Sequence, residues 1–264
     1  MTKREFAEEV AKIVGGQVTD VEKANGIVLT GVRVIVGDGA IRPTVYLDQM
    51  YDEGRDIEEC AVIVRELAER SNITIPDLSR IYDFDSIKGD LRMRMYNKAT
   101  HAEIYKSASD YGFDDMILVP YLDNVIPNGS IKISASFLDI WGVTVDELFE
   151  AASSAGDYEI LSLHSVLAEL AQRSGKDFPA EENCPMLIVT NAHRCYGAYG
   201  VIALRERFRE IFPLGYTVIP SSVHECIVIP KESADIEIIN SMVQEVNAGC
   251  VCPEEVLGSR AYEF

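Results

Sequence analysis

Apolar residues recur at the helical spacing of three to four positions in several separate segments of the chain. Between Thr2 and Gly15, Phe6, Val10 and Val14 fall on one stripe with charged residues opposite, which predicts an amphipathic helix that ends at the glycine. Six further helices are predicted over residues 56–72, 100–108, 144–152, 158–173, 198–212 and 234–247.

Other segments are rich in β-branched residues or alternate between apolar and polar positions, as strands do. An Asn25-Gly26 turn signal precedes the first of these segments, and Asn128-Gly129 separates two others that read as an antiparallel pair. Pro120 confines its strand to an edge or a bulged position. Strands are predicted over residues 27–37, 44–48, 90–97, 116–127, 130–141, 185–191, 215–220 and 223–230.

The segment 90–97 carries the clearest alternation and predicts a half-exposed strand. Its apolar positions are Leu91, Met93 and Met95, and its polar positions are Arg92, Arg94 and Tyr96.

The order of these elements predicts an α+β fold with mostly antiparallel sheets and packed amphipathic helices. The C-terminal third alternates β-α-β-β-α. We expect one composite domain over residues 1–264, with a soft boundary in the polar, acidic stretch near 175–184.

The charge balance is strongly acidic, with 24 Lys and Arg against 43 Asp and Glu and a net charge of −19. Such a surface repels nucleic-acid phosphates and anionic membranes, so we expect no direct nucleic-acid or membrane partner. The charge serves solubility, or it forms an acidic face that meets a protein partner. The charged N-terminal helix does not resemble a signal peptide, and the six cysteines are too few for a disulfide scaffold, which predicts a cytoplasmic protein with reduced thiols.

The densest group of chemically active residues is the stretch PSSVHECIVIP, residues 220–230. If this tract is extended from Val223 onward, Ser222 and His224 point to one side and Glu225 points to the other. Alternate residues of a strand lie about 6.5 to 7 Å apart, too far for a serine and its base. A catalytic serine here would need its base from His101, His164 or His193. Otherwise Ser221 and Ser222 cap a turn and His224 bonds a neighbouring backbone group.

Metal and phosphate sites have weaker support. Three pairs of soft ligands are separated by one residue, whereas zinc knuckles use two to four. These pairs are His193 with Cys195, His224 with Cys226 and Cys250 with Cys252. No glycine-rich phosphate loop is present in the sequence, so we predict neither a metal nor a cofactor.

Several motifs of the C-terminal third together resemble domain-of-unknown-function family 5688, uncharacterised proteins of gut anaerobic bacteria. They are Thr190-Asn191 followed by Gly197-Ala198, IPSSVHE at 219–225, EVN at 245–247 and PEEVL at 253–257. The resemblance implies no activity. It singles out Ser221, Ser222, His224 and Glu225, together with Asn191, as binding positions. It also disfavours a metal at His193, Cys195 and Cys226, where the family usually carries other residues.

The leading hypothesis from the sequence is a cytoplasmic binding or interaction protein that meets a protein partner through its acidic surface, with a mobile element as its candidate origin. The first alternative is a hydrolase-like enzyme that uses Ser222, His224 and Glu225 as candidate catalytic groups. The second is an inhibitor that mimics the charge of nucleic acid.

Overall fold

The structure is a computed structural model that describes residues 1–35, 43–70, 77–126, 129–175 and 186–264. The soft boundary predicted near 175–184 lies almost wholly outside the described residues, and the single-domain organisation stays a prediction. No helix in the described ranges is both long enough and apolar enough to cross a membrane.

The described residues form ten α-helices and twelve strands. The helices are α1 (Lys3–Val14), α2 (Asp48–Asp52), α3 (Ile57–Arg70), α4 (Phe84–Ile87), α5 (Ala135–Trp141), α6 (Val145–Ser154), α7 (Leu163–Arg173), α8 (Gly200–Ala203), α9 (Arg205–Ile211) and α10 (Ile236–Gly249). The strands are β1 (Gln17–Glu22), β2 (Val28–Arg33), β3 (Thr44–Tyr46), β4 (Leu91–Asn97), β5 (Lys106–Ser107), β6 (Met116–Ile126), β7 (Gly129–Lys132), β8 (Tyr158–Ser162), β9 (Leu187–Asn191), β10 (Tyr216–Ser222), β11 (Glu225–Pro230) and β12 (Tyr262–Glu263).

The strands form three sheets, and every pairing within them is antiparallel. The N-terminal sheet has the order β1-β2-β3, and the C-terminal sheet has the order β12-β10-β11-β9-β8. The central sheet has the order β4-β6-β5, with β7 also paired to β6. This architecture confirms the predicted α+β fold and its β-α-β-β-α segment.

Buried apolar side chains fall into two clusters. The smaller one belongs to the N-terminal sheet with α1 and α3, and includes Phe6, Val10 and Val64. The larger one joins the central and C-terminal sheets. Helix α1 begins at the predicted place because Thr2 and Glu5 form a reciprocal capping box, and it ends where Gly15 adopts a left-handed backbone.

The central sheet is buried on both faces. Met93 and Met95 enter the larger cluster, as their alternation predicts. The opposite face of β4, which was predicted to be exposed, is buried at Arg94 and Tyr96. The ring of Tyr196, from the loop after β9, lies against both of these side chains. The prediction of a half-exposed strand is therefore wrong on its polar side, because a distant loop covers that side.

Pro120 lies in β6, which has partners along both of its edges. On one edge it pairs with Met93 of β4. On the other edge, β5 pairs only as far as Leu118 and β7 begins to pair at Tyr121. The proline thus occupies a gap between two short neighbours, where its missing N–H breaks no ladder hydrogen bond.

Three predicted segments differ from the structure. The predicted helix over 100–108 is replaced by turns and the short strand β5, and residues 158–162 form β8 before α7 begins. Residues 134–141 were predicted to continue a strand but form α5 after Ser134. In each case the local pattern was short, and sheet pairing or packing of the larger cluster decided the outcome.

Candidate functional site

A buried arginine stands at the centre of the polar face of the central sheet. Only 7% of the Arg94 side chain is exposed, and its Nη2 donates a hydrogen bond of 2.7 Å to Asp123 Oδ1. The rings of Tyr121 and Tyr196 approach its guanidinium carbon to 4.0 and 3.9 Å, measured to the ring centroids. Arginine stacks well on aromatic faces because its planar, delocalised charge attracts the ring electrons.

One donor of this arginine is left unused. Arg94 Nε is buried and has no hydrogen-bond partner. A buried donor without a partner costs about 1 to 3 kcal/mol, so such a group is rare in a native structure.

Burial acts to lower the pKa of Arg94, but the oxygens of Tyr96 and Asp123 outweigh it and raise the pKa above its ordinary value. The guanidinium is therefore a permanent buried charge.

The tyrosines around Arg94 are neutral. Burial raises the pKa of the hydroxyls of Tyr96, Tyr121 and Tyr196 above the ordinary value. Each hydroxyl therefore keeps its proton at neutral pH and remains a hydrogen-bond donor.

The loop that carries Tyr196 has a strained and well-braced backbone. Arg194 and Tyr196 have φ of 52° and 55°, a left-handed conformation that few residues other than glycine adopt. Asn191 holds the loop, because its side chain accepts from Cys195 N–H at 3.0 Å and donates to the Cys195 carbonyl at 2.6 Å. Gly197 has no room for a side chain, since a Cβ there would lie 2.7 Å from Thr190 Oγ1. Asn191, predicted as a binding position, therefore shapes the loop.

His224 links this loop to the C-terminal segment. Its Nδ1 accepts a hydrogen bond of 3.0 Å from Tyr196 N–H. Nδ1 therefore carries no proton in the neutral ring, and Nε2 lies 3.2 Å from Glu255 Oε1. The predicted backbone partner is present, together with a carboxylate that the sequence did not indicate.

The premise of an extended tract from Val223 onward is wrong, because the turn lies two residues later than predicted. Ser222 pairs with Glu225, so Val223 and His224 form the tip of the β10–β11 hairpin. Val223 N–H donates to the Glu255 carbonyl at 2.9 Å, and Gly197 N–H donates to the His224 carbonyl at 3.0 Å. These contacts with distant segments hold the tip in place.

The four motif residues do not converge on one point. Ser222 Oγ accepts from His224 N–H at 3.1 Å and so stabilises the turn, as a turn-capping serine does. Ser221 lines a separate apolar groove beside α10. Glu225 lies on β11, and the carboxylate at the imidazole belongs to Glu255 instead.

A cleft of about 470 Å³ opens beside this arrangement, and we call it the arginine cleft. The Lys23–Ala24 turn of the N-terminal sheet forms one wall and the polar face of the central sheet forms another. Its lining residues are Glu22, Lys23, Ala24, Arg94, Tyr96, Thr100, His101, Tyr121, Ser130, Lys132, Tyr196, Glu254 and Glu255. Ligand sites are common in clefts of this kind, where separately packed parts of a protein meet.

Asn25 fixes the position of the first wall. Its backbone has φ of 60°, and its Nδ2 donates to the carbonyls of Pro253 and Val256 at 2.8 Å each. Its N–H also donates to Thr100 Oγ1 at 3.0 Å. The Asn25-Gly26 signal of the sequence therefore does more than form a turn, because it anchors the N-terminal sheet to the segment that carries Glu254 and Glu255.

Metal ligation has no support in the described part of the chain, where no three His, Cys, Asp or Glu side chains are grouped to hold an ion. Cys226 is fully buried in β11, with Sγ 4.0 Å from the Ala198 carbonyl, while Cys195 lies on an exposed loop. Burial raises the pKa of the Cys226 thiol, so it is protonated and packs as a small apolar group.

Sequence reasoning missed Arg94, Tyr121, Asp123, Tyr196 and Glu255. A signal for three of them was available in the alternation of the paired strands. Arg94 lies on the polar side of β4, and Tyr121 and Asp123 lie on the same side of β6. Two adjacent strands with an arginine, a tyrosine and an aspartate on one face indicate a covered polar surface.

A comparison with known families gave one match. The model of the Family of unknown function (DUF5688) matches residues 2–264, which confirms the resemblance found in the C-terminal motifs. No curated protein and no solved structure matches the chain.

Proposed function

The chain belongs to the Family of unknown function (DUF5688), and because membership assigns no activity, we propose from the site geometry that it is a binding protein. Its recognition site is the arginine cleft. The observation that carries this proposal is the buried guanidinium of Arg94, which lines the cleft with one N–H unpaired.

A structural role alone accounts poorly for this arginine. Replacing a buried ion pair with apolar residues is often neutral or stabilising, so the Arg94–Asp123 pair is weak evidence of a contribution to stability. A binding role explains both its place in the cleft wall and its unused donor, because an incoming acceptor would pair that donor.

The hydrolase alternative has less support from the same site. Nδ1 of the His224 imidazole accepts from Tyr196 N–H, and Nε2 lies 3.2 Å from the Glu255 carboxylate. Ser222 Oγ accepts a hydrogen bond from the backbone N–H of His224. A nucleophilic serine needs a base within hydrogen-bond reach, and among the described hydrogen bonds none joins a hydroxyl or thiol to this imidazole.

The partner that we propose is a protein in the bacterial cytoplasm. The five cysteines in the described ranges are free thiols, which suits a reducing compartment. A net charge of −19 favours a partner whose basic surface surrounds the group that enters the cleft, and it disfavours nucleic acid. Mimicry of nucleic acid remains a second use of the same charge.

The test is a comparison of partner binding between matched variants. The partner is captured from a host extract with the wild-type protein, purified, and titrated against Arg94→Lys and Arg205→Lys. Arg205 stacks on Tyr111 at 5.2 Å beside a different cavity, so it is a matched control. We expect binding to weaken about tenfold or more for Arg94→Lys only, because lysine lacks the planar fork of donors. Equal affinity of both variants would refute the arginine cleft as the recognition site.

The hydrolase alternative has its own test. Wild-type protein and Ser222→Ala are assayed against a panel of ester and peptide substrates. We expect no turnover in either, and turnover that disappears in Ser222→Ala would replace our proposal with the enzyme hypothesis.

A further inference from the structure

We infer that the group received by Arg94 is a singly charged carboxylate, which enters in the plane of the guanidinium. This inference rests on the binding function proposed above and specifies its ligand class. It follows from the shape of the space around the arginine, from the charges that line the arginine cleft, and from the buried Nε donor of Arg94, which has no partner.

The shape of the site favours a flat anion. The Arg94 Cζ lies over the rings of Tyr121 and Tyr196, at 4.0 and 3.9 Å from their centroids. A group that approaches the guanidinium therefore comes in along its plane, at the edge that carries the N–H donors. A carboxylate keeps its atoms in that plane and accepts two parallel hydrogen bonds. A phosphate would direct oxygens above and below the plane, toward the rings.

The charge of the site favours one negative charge over two. The cationic residues Lys23, Arg94 and Lys132 line the arginine cleft, and so do three glutamates. Asp123 already compensates part of the charge of Arg94. A second negative charge on the ligand would meet the repulsion of these carboxylates without a further buried cation to offset it.

Arg94 Nε is sealed from solvent, so a side chain beside it has to move before a ligand oxygen can reach it in the plane of the guanidinium. Tyr121 and Tyr196 are both half-buried, and Tyr121 belongs to the strand β6, whereas Tyr196 belongs to the loop after β9. Because Asn191 and His224 brace the backbone of this loop, we expect a side chain to move rather than the loop.

The experiment uses the side-chain Nε–H resonance of Arg94 in the 15N-labelled full-length protein. The probes are propionate, the peptide N-acetyl-Ala-Ala-Ala with a free carboxyl terminus, the same peptide with an amidated terminus, and inorganic phosphate. Arg94→Lys and Arg205→Lys are titrated in parallel, and backbone spectra confirm that each variant is folded. Propionate stands for a free small acid and the peptide for the carboxyl terminus of a polypeptide.

We expect at least one carboxylate probe to shift the Arg94 resonance and the nearby Tyr196 amide. We expect binding to be about tenfold weaker for phosphate, for the amidated peptide and for Arg94→Lys, and unchanged for Arg205→Lys. Preference for the free-acid peptide over propionate would identify a polypeptide terminus as the source, and the reverse would identify a small acid.

Two results would overturn the inference. If phosphate or the amidated peptide binds the cleft as tightly as the carboxylates, the ligand class is wrong while the proposed binding site stands. If none of the four probes shifts the Arg94 resonance, the carboxylate is refuted. The partner titration with Arg94→Lys then decides separately whether the binding function survives.

Discussion

Replacing Arg94 with methionine tests how the protein maintains a buried charge. Methionine keeps much of the packing volume between Tyr121 and Tyr196 but removes the hydrogen bond of 2.7 Å to Asp123. The substitution therefore removes the guanidinium group and keeps the packing of the apolar stem, so the measured effect belongs to the charged group.

The expected cost follows from three contributions. Removing one partner of a buried ion pair typically costs about 3 to 5 kcal/mol. Asp123 keeps 25% of its side chain exposed, so water partly replaces the lost donor and lowers this cost. Loss of the buried, unpaired Nε returns about 1 to 3 kcal/mol. We therefore expect Arg94→Met to lower the free energy of unfolding by about 2 kcal/mol.

The assay is a double-mutant cycle with Asp123→Asn, measured by urea unfolding of the wild type, both single variants and the double variant. We expect the double variant to be more stable than the sum of the single effects predicts, with a coupling energy of about 1 to 2 kcal/mol. The dependence of unfolding free energy on urea should be the same for all four proteins, which would show that the unfolded states are comparable. A coupling energy below about 0.5 kcal/mol would refute the claim that the two charges sustain each other.

Three further predictions concern the frame of the site. His224→Ala removes the acceptor for Tyr196 N–H and the contact of Nε2 with Glu255, so we expect urea unfolding to show a loss of about 1 to 3 kcal/mol in the free energy of unfolding, and a loss below about 0.5 kcal/mol would contradict the linking role. Gly197→Ala places a Cβ 2.7 Å from Thr190 Oγ1, so we expect a loss of about 3 kcal/mol or more in the same assay, and a neutral effect would show that the loop can shift. Burial raises the pKa of Cys226 above its ordinary value of 9.0. The stability that the buried, neutral thiol contributes is therefore fully present below pH 9 and falls at higher pH, where this thiol ionises in the unfolded chain but not in the folded one. The melting temperature, measured from pH 7 to 10.5, should therefore decline less steeply with pH in Cys226→Ala than in the wild type. Parallel curves of melting temperature against pH would contradict this.

Much of the secondary structure could be predicted because its causes are local. Helix α1 is specified by Thr2, Glu5 and Gly15, which act within four residues of the helix ends. The alternation in β4 likewise identified which side chains enter the core, since successive residues of a strand face opposite sides. The C-terminal motifs were sufficient to indicate the family.

The β10–β11 turn could not be placed in the same way. Neither Val223 nor His224 favours a turn, and the neighbouring serines favour one. The tip is held by backbone hydrogen bonds from Gly197 and to Glu255, which lie 26 or more residues away from it in the chain. Local propensity is weak where several such contacts outweigh it.

The sequence by itself determined the class of fold, most helices and strands, the acidic surface and the family. Only the tertiary structure decided that the polar face of β4 is covered and that Arg94 meets Tyr196 and Asp123 there. The physical reason is that hydrophobic periodicity identifies the face that avoids water, but it does not identify what packs on the opposite face. That depends on long-range contacts between segments that lie far apart in the chain, and the local pattern of each segment does not show that they meet.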